Sequence, residues 1–435
     1  MSKSPQIFHG EWWVPAKADP SNSIFMTLPE GAEKKYTGTL TYYGDEDSTL
    51  ELYHVPSNFH SSHYHHNDVM WGKDANGNIF TLFNVEIKEH TWGDYTTTKF
   101  VVGLILIGEH ILSINERWIK KCRVRFPYLN NWLFYETKKY ITPLYYNEFD
   151  LAASIREIKL LEVEVENGMF WRLCHHMTVA ESIEGIAINK IPYLVIESSQ
   201  PNSLYSYLKH IVEFEQFLSI ALFGEQKHSS IQLPSKTGNR TCTLLMRKGA
   251  SYNPNLWSVI KYCQLKDKLP EILRIWHENF DKIAPISSYL IDSLQKKSRF
   301  DVPDFLIIAQ ALDGFHKRFV NKKDGKDVRK YEEQIHILLN QFKSVKVIKA
   351  CKIDPVVLKD SRHKYSHLYP DDEKSLAVEG NELYWLTEKC KILLTCCILN
   401  MLGLTNEEIN LCCEQSPISQ IIDSLPIEPE NEYRL

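Results

Sequence analysis

The sequence predicts an α+β multidomain protein: an antiparallel β-sandwich or jelly-roll-like domain in residues 1–200, then an all-α helical bundle in residues 203–435 with its core at about 300–425. Two observations carry this. Before residue 200 short stretches of strand character alternate with turn signals, and after it the apolar residues recur at steps of three and four. A third sets the scale. A chain of 435 residues with 43% hydrophobic and 24% charged residues has material for two or three domains, each with a core of its own. That composition excludes a disordered, collagenous or disulfide-framework protein.

In the first part, Tyr36–Tyr43 and Leu50–Val55 flank the turn Gly44-Asp45-Glu46-Asp47-Ser48, and Ile79–Ile87 pairs by pattern with Lys99–Ile107. Lys159–Glu166 and Met169–His176 enclose Asn167-Gly168, a dipeptide that predicts a hairpin with a type I′ turn. His175-His176 closes that strand, where adjacent side chains face opposite sides, and reads as structural. Gly185–Ser198 is a further strand, and Pro192 within it marks an edge or a break. The run Ser198-Ser199-Gln200-Pro201-Asn202-Ser203 reads as a linker.

Beyond it, Tyr207–Phe223 is the first helix, and a small hairpin around Ser235–Asn239 interrupts the helical run. Phe305, Ile308, Leu312, Phe315 and Phe319 form one helical stripe. Tyr331, Ile335, Leu338, Phe342 and Val345 form a second, and Leu383, Leu386, Cys390, Leu393, Cys397 and Met401 a third. With a helix over Pro355–His367 these make a bundle. The ten cysteines, including the adjacent pairs Cys396-Cys397 and Cys412-Cys413, have neither metal-knuckle nor disulfide-framework spacing and read as reduced core thiols. The opening residues lack a signal-peptide pattern, and the most apolar runs, 100–108 and 392–404, fall short of a bilayer span, so a cytoplasmic protein without membrane contact is expected.

The charge is unevenly placed. The chain is net −5 as a whole, yet Lys317–Lys330 and Lys343–Lys364 are each net +5, which leaves the rest at −15. Positive charge so concentrated suits a phosphate backbone, with Lys317, Arg318, Lys352, Lys359 and Lys364 as the candidate contacts. His60, His63, His65 and His66 nearly match a metallo-hydrolase motif, but Asn67-Asp68 stands where an Asp-His pair is needed, so no metal site is assigned. Neither a Walker A nor a Rossmann glycine pattern is present, and no cofactor is expected.

Ser361-Arg362-His363-Lys364-Tyr365-Ser366-His367-Leu368-Tyr369 sits between two of the long helices. It resembles the R-x4-6-H motif of HEPN-domain ribonucleases, with Arg362 and His367 in the motif positions, His363 in the polar position after the arginine, and Tyr369 matching an R-x4-H-x-Y variant. A β-rich front half and a helical rear half, with Gly10-Glu11-Trp12-Trp13-Val14-Pro15 and Gly38-Thr39-Leu40-Thr41-Tyr42, look like the ApeA-like HEPN antiphage proteins. Asp313 stands where such proteins carry an acidic residue, commonly Glu. The resemblance implies catalytic Arg362 and His367, supporting roles for His363, Tyr369 and Asp313, and a homodimer through the HEPN domain. It also implies abortive-infection defence in a bacterium through cleavage of host RNA, tRNA among the candidate targets, on a phage-derived trigger.

The residue chemistry stands beside that resemblance. Cutting RNA without metal needs a proton-transfer group with a pKa near neutrality and a fixed cation where charge builds on phosphorus, which histidine and arginine supply. Five positions turn a helix by about 140°, so Arg362 and His367 diverge, whereas His363 and His367 share a face. The front half is the candidate sensor, with Trp12, Trp13 and Trp71 as recognition or core residues. The rival reading is a non-catalytic ligand-binding protein with a lectin-like β domain and a dimerising bundle.

Overall fold

The computed structural model describes residues 4–15, 35–54, 67–91, 96–133, 158–182, 185–247, 257–295, 302–320, 322–323, 326–327, 330–368, 370 and 375–426. The His60–His66 cluster and Tyr369 lie outside them. Twelve strands form one antiparallel sheet: β1 Gln6–Trp13, β2 Tyr36–Tyr42, β3 Ser48–Tyr53, β4 Asn67–Asp74, β5 Ile79–Thr91, β6 Thr97–Ile107, β7 Arg117–Arg125, β8 Ile158–Glu166, β9 Met169–Ser182, β10 Gly185–Ser203, β11 Ser230–Pro234 and β12 Thr241–Met246. Their order is β3-β2-β1-β4-β5-β6-β12-β11-β7-β10-β9-β8, and β3 also pairs with β6.

That extra pairing closes the first six strands into a ring. The antiparallel β-rich front half is as expected, but its strands share one sheet that curls on itself instead of two sheets face to face. Closure removes the exposed edges that a sandwich must otherwise protect. The ring encloses Trp12, Leu40, Leu50, Phe80, Leu82 and Phe100, all buried. Trp12 is opposite Gly72 across the β1–β4 pair, and a Cβ on Gly72 would overlap the indole, so only glycine fits there. Trp13 is buried too, and half-buried Trp71 stacks on His110 with ring centroids 4.7 Å apart. None of the three is a free recognition side chain.

The β8–β9 hairpin forms as expected, because Leu161, Val163 and Val165 face inward while Glu162, Glu164 and Glu166 alternate outward. Its turn differs: of the two central residues only Gly168 takes positive φ (74°), and a register shift beside it marks a bulge instead of a type I′ turn. Pro192 pairs only with β9, because the β7 register begins at Leu194, so its missing N–H faces no second strand. The expected linker over 198–203 is the end of β10, where the register against β7 slips between Glu197 and Asn202. The expected small hairpin is β11–β12, and it joins the main sheet through β7 and β6.

The helices are α1 Leu129–Leu133, α2 Leu204–Leu222, α3 Tyr262–Leu265, α4 Leu269–Gln295, α5 Val302–Phe315, α6 Tyr331–Gln341, α7 Lys346–Cys351, α8 Pro355–His367, α9 Gly380–Met401, α10 Asn406–Cys413 and α11 Pro417–Asp423. A π turn at His316–Val320 extends α5, and two-residue strands β13 (Lys322–Lys323) and β14 (Lys326–Asp327) pair after it. Two compact units result: Met1–Leu129 with Ile141–Val212 and Lys227–Ser251, and Asn130–Tyr140 with Glu213–Gln226 and Tyr252–Leu435. No helix among the described residues is long and apolar enough to cross a membrane.

In the second unit α9 is the central helix, buried almost continuously from Leu386 to Leu399 and packed against α4, α5, α6, α7 and α10. Nine cysteines are buried and all ten are unbridged, and burial pushes the thiols of Cys351 and Cys412 up to about 12. The nine are core residues, and Cys263 departs from the expectation in being exposed. A buried ionic group ties three helices: Lys391 Nζ donates to Glu388 Oε1 (2.7 Å) and to the Ser293 carbonyl (3.2 Å), and lies 3.3 Å from Asp304 Oδ2. Lys391→Ala would leave two buried carboxylates without their cation. A loss of about 3–5 kcal/mol is expected, read as a lower urea midpoint, and removing Glu388 together with Lys391 should recover part of it.

Candidate active site

The motif helix α8 starts as its sequence dictates. Asp354 is the N-cap, accepting from the N–H groups of Val356 and Val357, and Pro355 occupies the first turn, where no N–H is needed. One side of α8 is strapped by the segment leading into α9. Asp360 Oδ2 accepts from Leu376 N (3.1 Å), Ser361 Oγ from Val378 N (3.1 Å), and Tyr365 donates to the Val378 carbonyl (3.0 Å). Lys364 adds an ion pair to Glu379.

Arg362 turns toward α5 and α6. Its Nη2 donates to Asp313 Oδ2 at 3.2 Å and reaches Gln310 Oε1 at 3.5 Å. The carboxylate of Asp313 is only 6% exposed and also accepts from Lys317 Nζ at 2.9 Å, so one buried anion holds two cations. Burying it would be costly without them. The Tyr331 ring lies under the guanidinium, 4.4 Å from Cζ to the ring centroid, and the Tyr331 hydroxyl donates to the Ala309 carbonyl. Burial pushes the Tyr331 phenol well up. Among the described residues, the remaining Arg362 donors have no partner, which leaves them available to a phosphate.

His367 is elsewhere on the helix. His363 and His367 present a shared exposed face with rings edge-on and centroids 4.8 Å apart, as one turn of spacing requires. The histidine that was expected to act with Arg362 therefore points away from it on its own chain. Leu368, just after His367, takes the left-handed conformation (φ 53°), with its side chain 85% exposed and its N–H bonded to the Lys364 carbonyl. For a leucine that conformation costs about 1–2 kcal/mol, strain held at the C-terminal end of the motif.

The candidate phosphate contacts are mostly occupied. Lys359 pairs with Glu332 at 3.1 Å and Asp360 at 3.4 Å, Lys364 with Glu379, Lys317 with Asp313, and Arg318 donates to the Lys282 carbonyl at 2.6 Å. Lys352 is an exposed residue at the C-terminus of α7 in a left-handed conformation. Around α8 no three metal-ligating side chains converge among the described residues.

Sequence reasoning missed Gln310, the platform role of Tyr331, and His316. The four-residue step from Asp313 to Lys317 was the available signal for their pairing. His316, the first residue of the π turn, is wholly buried, and among the described residues neither ring nitrogen has a hydrogen-bond partner. Desolvation lowers its pKa, against the pull of nearby Asp313 and Glu333.

Residues 7–287 match the family model ApeA N-terminal domain 1, and residues 306–408 match Apea-like HEPN. No curated protein and no solved structure matches the chain.

The buried His316 makes a pH prediction. Its folded pKa lies below the ordinary value of about 6.5, so on acidification the unfolded chain binds this proton first and stability falls as pH drops below that value. His316→Leu should therefore lose about 1 kcal/mol less than the parent chain between pH 7.5 and 5.5 in urea unfolding. Equal losses would mean that His316 takes up its proton over the same pH range in the folded and unfolded chain.

Proposed function

This chain belongs to the ApeA-like HEPN family, and from that premise we propose that it is a metal-independent endoribonuclease of bacterial antiphage defence. On activation it would cut host RNA, tRNA among the candidates, and end the infection with the host. The observation that carries the reading is the division of labour on α8. Arg362 is pre-set on a buried carboxylate with donors to spare, and His367 stands exposed beside His363 on the same helix.

In the proposed reaction the 2′-oxygen attacks the adjacent phosphorus and the bond to the 5′-oxygen breaks. A histidine takes the 2′-OH proton, another proton goes to the leaving oxygen, and Arg362 binds the charge building on the non-bridging oxygens. The products are a 2′,3′-cyclic phosphate and a 5′-OH end. Arg362 and His367 diverge on one helix, while in-line transfer needs acid and base on opposite sides of the phosphorus. A homodimer in which two motifs meet across a twofold axis satisfies both demands. Lys317, Arg318, Lys352, Lys359 and Lys364 then follow the RNA backbone. The exposed pairs Lys359–Glu332 and Lys359–Asp360 are no obstacle, because such pairs contribute about 0–1 kcal/mol and open readily to a polyanion. The β unit is the proposed sensor of a phage-derived trigger, and the enzyme is proposed to work in the cytoplasm.

Purified protein and its variants test the reading. Arg362→Ala and His367→Ala should each lower RNA cleavage by about 100-fold or more, with elution unchanged in both and melting unchanged in His367→Ala, whereas Arg362→Ala, which takes one of two cations from buried Asp313, should melt lower; His363→Ala and Tyr369→Phe should be milder. A folded variant of either motif residue that cleaves like the parent would sink the mechanism. Absence of cleavage by the parent chain, alongside tight binding of a small ligand to the β unit, would favour a binding protein.

Cleavage should also survive EDTA, since the proposed chemistry needs no metal-bound water. Activity lost on chelation and restored by Zn²⁺ or Mg²⁺ would point instead to a metal centre. In mixtures of parent and His367→Ala chains, activity should fall faster than the parent fraction. A linear fall with fully exchanged subunits would mean that each protomer carries a complete site.

A further inference from the structure

Arg362 is fixed at one end only by Asp313. The contact runs through a single nitrogen, Nη2, and Gln310 meets that same nitrogen at 3.5 Å. A guanidinium held at one atom can still swing about it, carrying its other donors away from where the phosphate must sit. The third neighbour restricts that freedom. The Tyr331 ring lies under Cζ at 4.4 Å to the centroid, and the attraction between cation and ring face resists a swing that would lift the guanidinium off it.

The ring is itself well anchored. Tyr331 is the first residue of α6, it is buried, and its hydroxyl donates to the Ala309 carbonyl on α5 at 3.1 Å. Asp313 and Gln310 stand on the same α5, so the carboxylate, the amide and the platform keep a fixed spacing while α8 presents the arginine to all three. With its hydroxyl committed to a carbonyl, Tyr331 has no proton-transfer part to play.

We propose that Tyr331 is a positioning residue for Arg362, acting through the face of its ring and not through its hydroxyl. The inference rests on the ribonuclease reading of the same site. It assigns to α6 a part in the chemistry that the motif on α8 does not contain. Because the ring orients a group that serves the transition state more than the bound substrate, its loss should appear in kcat and not in KM.

The test is a pair of substitutions in the full chain, assayed on an RNA oligonucleotide. Tyr331→Phe keeps the ring and should cleave within about threefold of the parent, whereas Tyr331→Leu should lower kcat about tenfold or more with KM within about twofold. In the Arg362→Lys background, where no planar cation remains to stack, Tyr331→Leu should add little further loss. Should leucine unfold α6, Tyr331→Met, which fills the space without a π face, takes its place. A folded leucine or methionine variant with parental kcat overturns the proposal, and so does a Tyr331→Phe variant as impaired as Tyr331→Leu. If the parent chain does not cleave even when an extract of phage-infected cells supplies the trigger, the ribonuclease reading falls, and the side-chain 15N–1H order of Arg362 still decides the placement. Order kept in Tyr331→Phe and lost in Tyr331→Leu supports it, and equal order in both overturns it.

Discussion

Everything about the motif helix depends on one buried anion. The carboxylate of Asp313 is nearly sealed from water, and a lone charge is costly to bury there. Lys317 and Arg362 offset that cost, one from the next turn of the same helical run and the other from α8. The pairing therefore settles where α8 lies against α5, and it settles the charge of the site: two cations on one carboxylate leave a net positive centre. That surplus is what an RNA phosphate would meet.

A π turn follows just after Asp313. In it Phe315 and Phe319 stack at 4.9 Å and His316 is buried, while Lys317 reaches the carboxylate and Arg318 a carbonyl of α4. Among the described residues neither nitrogen of His316 has a hydrogen-bond partner, a cost the helix carries at this point.

Local signals in the sequence were reliable where the structure they specify is local. The limits of α8 follow from Asp354 and Pro355 at its start, and the β8–β9 hairpin from an alternation that any sheet would respect. The longest helix, α4, escaped because Pro285 in its interior interrupts a run of apolar residues that otherwise keeps helical spacing from Leu269 to Leu290. Strands β11 and β12 looked like an isolated hairpin, since their partners β7 and β6 lie more than a hundred residues earlier and pairing over that separation leaves no local trace. In the site, Asp313 and Arg362 were each singled out from the sequence, but their contact spans 49 residues. The pairing of Lys359 and Lys364 with glutamates and the seat of Arg362 on Tyr331 are tertiary facts of the same kind.

The interleaving of the two compact units restricts how this protein can be taken apart. The sheet-bearing unit is written in three pieces, ending with Lys227–Ser251, and pieces of the helical unit lie between them. A single crossover anywhere between residues 130 and 251 would thus sever one unit or the other, and no one cut in that interval frees both units intact. A cut after Ser251, close to the end of β12, leaves the sheet-bearing unit whole but strips Asn130–Tyr140 and Glu213–Gln226 from the helical unit. A different sheet could be set on the same helical half only if those two stretches, the second half of α2 included, were kept with it as one block of inheritance.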